Sequence, residues 1–143
     1  MKNLITCLLL LFFLNGFSQK KLFENDSIIN YHLWQNNSFY PVDSNLKKIP
    51  GYIITLKDSL IYENVEKEGY YMVSKRQELS NTSYTAKVLK VNFPNATLKI
   101  GDKFHTQLLA TNTEEGYVLI KVTINEMSEF FILKAEKRVT THR

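Results

Sequence analysis

The feature that most narrows what this chain can fold into is a period of two in its apolar residues, repeated along most of its length. Tyr52, Ile54 and Leu56 fall on one face of a short run whose other face carries Thr55 and Lys57. Asp58-Ser59 separates that run from Leu60-Ile61-Tyr62, where the alternation resumes. Successive side chains of an extended strand point to opposite faces, so the pattern describes two half-buried strands of one hairpin. Because the turn lacks glycine, a loop slightly longer than two residues is expected. A second hairpin is expected at Gly101-Asp102, with Ala96, Leu98 and Ile100 alternating up to it and Phe104, Thr106, Leu108 and Ala110 away from it. Gly101 supplies the positive φ of such a turn. A third runs through 117–124, turns around Glu126-Met127 and returns as Phe130-Phe131-Ile132-Leu133. Its arms are rich in the β-branched and aromatic residues that suit a pleated surface.

With 70–73 and 84–91 the count reaches about eight strands. Only one segment reads as helix, a turn or two capped by Asn25 or Asp26 that gathers Ile28, Ile29, Leu33 and Trp34 on one side. Tyr40-Pro41 would end it, since the residue before proline avoids the helical region. The weakest structural signal lies in 19–25, 77–83 and the tail after Lys137, which are the expected termini and loops. The expected fold class is therefore all-β and mainly antiparallel, a small sandwich or barrel with at most one short N-terminal helix. Alternation does not choose between sandwich and barrel, because closure depends on register and bulges.

Residues 1–18 follow the order of an export signal: Lys2, an apolar run from Leu4 to Leu14, then Gly16 and Ser18 where a signal peptidase needs small side chains. The run falls short of the ~20 apolar residues that cross a bilayer, so no membrane span is expected. A cut before Gln19 leaves 19–143 as a single β-rich domain. Cys7, the one cysteine, lies inside the discarded segment. The processed chain then has no thiol, which excludes disulfides, thiolate metal sites and a cysteine nucleophile. Loss of Lys2 lowers the formal charge from +4 to +3.

The chemistry-bearing residues are dispersed. His32, His105 and His142 lack the close pairing of a zinc site, so no metal site and no cofactor are expected. His105 is expected to face outward between Phe104 and Thr106, and His32 to be packed or half-exposed beside Tyr31 and Trp34. No Gly-x-Ser-x-Gly elbow exists, and no catalytic residue is assigned. Glu63, Glu66, Glu68, Glu114, Glu115, Glu126 and Glu129 read as outward strand positions and turn tips. Basic residues are spread among acids rather than gathered in a stripe, which argues against nucleic acid as a partner. Aromatic residues are the most unusual feature of the composition. Tyr31, His32, Trp34 and Tyr40 form the candidate binding cluster, since Tyr and Trp bring large area with a polar tip. The competing reading places those aromatics in the core.

The stretch Gly51-Tyr52-Ile53-Ile54-Thr55-Leu56-Lys57-Asp58-Ser59-Leu60, with a signal ending in Ser18-Gln19, resembles small exported proteins of unknown function from the Bacteroidota. The resemblance covers about a dozen residues plus the signal, lacks that group's turn glycine, and implies a Gram-negative periplasmic or secreted setting without an activity. In that setting Asp26-Ser27-Ile28 and Asp58-Ser59-Leu60 resemble O-glycan attachment triplets, whose ordinary alternative is a helix cap and a turn. The function expected is an exported, non-catalytic binding or structural module presenting a sheet face or loops to a protein or polysaccharide. The alternatives are an inhibitor or immunity protein and, less favoured, a hydrolase of envelope glycans or peptides.

Overall fold

The computed structural model describes residues 21–136. The expected signal at 1–18 with Cys7, and the tail after Lys137 with His142, lie outside the described residues. Among the described residues a helical turn, α1 (Tyr31–Trp34), precedes eight strands: β1 (Ser38–Pro41), β2 (Tyr52–Lys57), β3 (Leu60–Val65), β4 (Tyr70–Ser80), β5 (Ser83–Val91), β6 (Lys103–Asn112), β7 (Tyr117–Ile124) and β8 (Met127–Ala135). Each strand pairs antiparallel with the next, and β1 closes on β8 through Phe39↔Ala135, Tyr40↔Lys134 and Pro41↔Leu133. The all-β expectation is met, and its two architectures resolve to a closed up-and-down barrel. Closure leaves no sheet edge to protect.

The inward face follows the alternation in the sequence. In register, Leu56 stands opposite Ile61, Ile54 opposite Glu63, and Tyr52 opposite Val65. The outward positions carry Lys57, Lys75, Lys87, Lys90 and Gln107, all exposed. No helix among the described residues is long and apolar enough to cross a membrane.

The interior is not uniformly filled. Around α1 the core is tight: Leu33, Phe39, Leu56, Ile61, Val88, Val118 and Leu133 are at most 2 % exposed. Trp34 packs there against Phe39 (centroids 5.1 Å apart) and stacks on Tyr84 (6.1 Å, 11° between planes). Toward the opposite end, inward-facing Ile54, Val122, Ile124 and Phe131 keep intermediate exposure, because the space they face is hollow. The barrel thus has a closed end and an open one.

The segment before α1 is tied to the closed end. Asp26 Oδ2 accepts hydrogen bonds from the Thr111 hydroxyl (2.6 Å), the Thr113 hydroxyl (2.7 Å) and the Thr113 N–H (3.1 Å). Asp26 therefore holds the β6–β7 turn and does not cap a helix. The residue before α1 is Asn30, whose side chain makes no cap and instead donates to the Thr113 hydroxyl (3.0 Å). The helix is correspondingly shorter than the spacing from Ile28 to Trp34 suggests.

Four further expectations are corrected. Asp58-Ser59 is a two-residue loop between paired Lys57 and Leu60, with Asp58 itself at φ +53°. Arg76 braces it by donating from Nε and Nη2 to the Asp58 carbonyl (2.8 and 2.5 Å). The last hairpin turns at Asn125-Glu126, one residue earlier than expected, and Met127 already belongs to β8. Residues 77–83 are paired strand and a tight turn, since Gln77↔Thr85, Glu78↔Tyr84 and Ser80↔Ser83 continue the β4–β5 ladder. Finally, 96–100 is not a strand. The partner of β6 is β5, and Gly101 (φ +94°) donates to the Val88 carbonyl at 2.9 Å, so 92–102 is an eleven-residue connection across the open end. Pro94 and Asn95 (φ +56°) break the extended backbone before the alternating residues begin.

Candidate functional site

The hollow half of the barrel is a chamber of about 310 Å³. Trp34 and Tyr84 form its floor, above the tight core. Its walls are inward residues of β2 (Tyr52, Ile54), β3 (Ile61, Glu63), β4 (Met72) and β6 (Phe104, Thr106). The far wall comes from Ile120, Val122 and Ile124 of β7 and Glu129, Phe131 and Leu133 of β8. Phe93, Ala96, Thr97 and Leu98 of the 92–102 connection reach over it, with Asn125 and Met127 at the rim. Asn92 fixes the start of that connection: its Oδ1 accepts from the Tyr71 N–H (2.6 Å) and its Nδ2 donates to the Gly69 carbonyl (3.2 Å). Lys99 N–H donates to Asp102 Oδ2 (2.8 Å) at the other end.

Polar groups interrupt these walls at few places. Glu63 sits between Ile54 and Met72 on the adjoining strands and accepts a hydrogen bond from the Tyr52 hydroxyl. Burial disfavours its ionised form and pushes its pKa up to about 7, with the Tyr52 bond pulling partly the other way. Tyr52 rises well above the usual phenol range, first through burial and then through the negative charge of Glu63. Glu129, on β8, is also raised by burial. Tyr84 is hydrogen-bonded to Thr106, and burial raises it too. The Ser74 hydroxyl, between Ile61 and Val88 on neighbouring strands, is buried without a hydrogen-bond partner among the described residues.

The four residues singled out from sequence separate in the fold. Trp34 is in the chamber floor. Tyr31 and His32 lie on the same helical turn, ring centroids 4.1 Å apart, with His32 exposed at the closed end. Tyr40 projects outward from β1, between inward Phe39 and Pro41, beneath the Lys48 ammonium at 4.6 Å. His105 faces outward as expected, between buried Phe104 and Thr106. Neither described imidazole enters the chamber. Among the described residues no group of three or more His, Cys, Asp or Glu side chains gathers as a metal site would require.

The reading of the glutamates needs correction at two positions. Glu63 and Glu129 are on the chamber wall, whereas Glu66, Glu68, Glu114, Glu115 and Glu126 are exposed in loops and turns. The signal is present in the sequence: an alternation anchored on Ile61 carries Glu63 inward with Val65, and one anchored on Phe131 carries Glu129 inward. Comparison of the chain with protein-family models, with curated proteins and with solved structures finds no match.

Proposed function

We propose that this protein is a non-catalytic binding module whose ligand is a small, largely apolar molecule enclosed within the barrel. The observation that carries this reading is the division of the interior, tight around α1 and hollow above Trp34, in a domain whose size would allow the whole barrel to be filled. An eight-stranded barrel is wide enough either to be plugged by side chains or to hold one small ligand. Here Trp34 and Tyr84 close the lower half, and the inward side chains above them leave a space between the walls. The volume is at the lower end of the range of about 300–1,000 Å³ found for small-molecule sites, with the apolar lining and sparse polar groups such sites have. A polysaccharide or protein would have to be read by the outer face, where the concavity beside Ile53, Thr55, Asn64 and Tyr71 is wider open and less apolar than the chamber. The export reading of the N-terminal segment gives this module a place in the envelope or outside the cell, as a carrier or receptor for a sparingly soluble compound.

Trp34 is the chain's single tryptophan, and it forms the chamber floor, so its emission reports occupancy directly. Titration of the purified protein with decanol, a neutral apolar probe, is expected to give a saturable one-to-one change in Trp34 fluorescence. Unchanged emission up to the solubility limit of decanol, with no displacement by other apolar probes, would refute the reading.

A further inference from the structure

The charge on the chamber wall is one-sided. Glu63 and Glu129 are its acids, and among the described residues no Lys, Arg or His lines it. Arg76 is a cation beside the chamber floor, at the closed end. It is committed to the Asp58 carbonyl through two donors and lies over the Tyr84 ring, 6.0 Å from the centroid, rather than on the chamber wall. Glu63 is thus a carboxyl group at mid-height, flanked by Ile54 and Met72, with Tyr52 as its polar partner. An ionised carboxylate offers about four acceptor positions, and the Tyr52 hydroxyl fills one. A buried acid without a counter-cation is costly, and it is tolerated where it has a task.

Resting on the ligand-chamber reading above, we propose that the chamber selects apolar molecules bearing a basic nitrogen, whose protonated head pairs with Glu63, and rejects fatty-acid-like anions. An ammonium head supplies the charge and donors that the Glu63 carboxylate lacks, while its hydrocarbon lies along Ile54, Val122, Ile124 and Phe131. Where Glu63 is protonated in the empty chamber, that proton leaves to water as the ammonium enters, so the pair formed is neutral. An alkyl carboxylate meets two acids and no donor cation, and must leave its charge unpaired or take up a proton. The proximity of Tyr52 gives the head a second oxygen, which a primary ammonium, with three donors, can use.

The test compares decylamine, decanol and decanoate at pH 7.4, read by Trp34 emission, on the native sequence and on Glu63→Gln and Glu129→Gln. The amine is expected to bind at least about tenfold more tightly than the carboxylate, the advantage of a charge-assisted hydrogen bond. Glu63→Gln is expected to weaken decylamine about tenfold while leaving decanol within about twofold. Decanoate binding as tightly as decylamine would overturn the selectivity. So would equal loss of decylamine and decanol in Glu63→Gln, which would make Glu63 a shaping residue rather than a reader of charge. Loss of amine preference in Glu129→Gln and not in Glu63→Gln would overturn the assignment of the anchor. If none of the three probes alters Trp34 emission, the ligand-chamber reading falls as well, an outcome distinct from binding without discrimination.

Discussion

At the scale of single residues, Glu63 decides most about this molecule, and it does so through its proton. Its folded pKa, about 7, stands above the ordinary 4.5 of an exposed carboxyl. The folded state therefore binds this proton more tightly than the unfolded chain, and stability falls as pH rises from 4.5 to 7, levelling off above that. The groups facing it are Tyr52 from β2 and Tyr84 from β5, with Arg76 beyond Tyr84 and Glu129 on the opposite wall; Met72 of β4 is apolar. None of the charged groups neutralises it. Urea denaturation of the native sequence and of Glu63→Gln across this range should show the native protein losing on the order of 3 kcal/mol relative to the variant. A constant difference between the two would mean that the carboxyl is solvated in the folded state. Glu63 was legible from the alternation alone, since Ile61 and Val65 flank it at a spacing of two. The competing habit of assigning every glutamate to the surface hides it, a habit with sound general basis because ionised side chains are rarely buried without a partner.

At the scale of elements, the strands themselves were the most legible part, because half-buried strands impose their period on the sequence. The connections were not. A two-residue turn at Asp58-Ser59 looks disfavoured without glycine, yet Asn36 Oδ1 accepts from the Asp58 N–H (3.0 Å) and Arg76 holds its carbonyl, both from distant positions. The 92–102 connection misleads for another reason. Ala96 and Leu98 alternate because they line the chamber and Ile100 is exposed, so the same apolar residues serve a loop folded over a cavity. At the β7–β8 turn both Asn125 (φ +48°) and Glu126 (φ +69°) occupy the left-handed region. That is the signature of a type I′ hairpin, which favours Asn followed by Gly. Glu126→Gly is therefore expected to stabilise the protein by about 0.5–1 kcal/mol, seen as a rise in the denaturation midpoint without a change in slope. A loss of stability would show that the Glu126 side chain makes a contribution larger than the backbone cost.

At the scale of the whole molecule, closure, hollowness and charge combine. The barrel hides its edges by pairing short β1 with both β2 and β8, puts lysines on its outside and aliphatic residues inside, and stops filling itself above Trp34. The choice of barrel over sandwich was not legible, because it rests on the pairing of β1 with β8 from the opposite end of the domain, which local alternation does not encode. The chamber was invisible for the same reason: Trp34 and Tyr84 declare themselves apolar, but not that space lies above them. The most direct measurement is a methyl NMR spectrum of isoleucine-labelled protein with and without saturating decanol. Ile54, Ile61, Ile120 and Ile124 line the chamber, whereas Ile53 and Ile100 do not. A ligand held inside the barrel should shift the methyl signals of the first four and leave Ile53 and Ile100 in place. Shifts confined to Ile53 and Ile100, or no shifts at all, would contradict a ligand enclosed by the barrel.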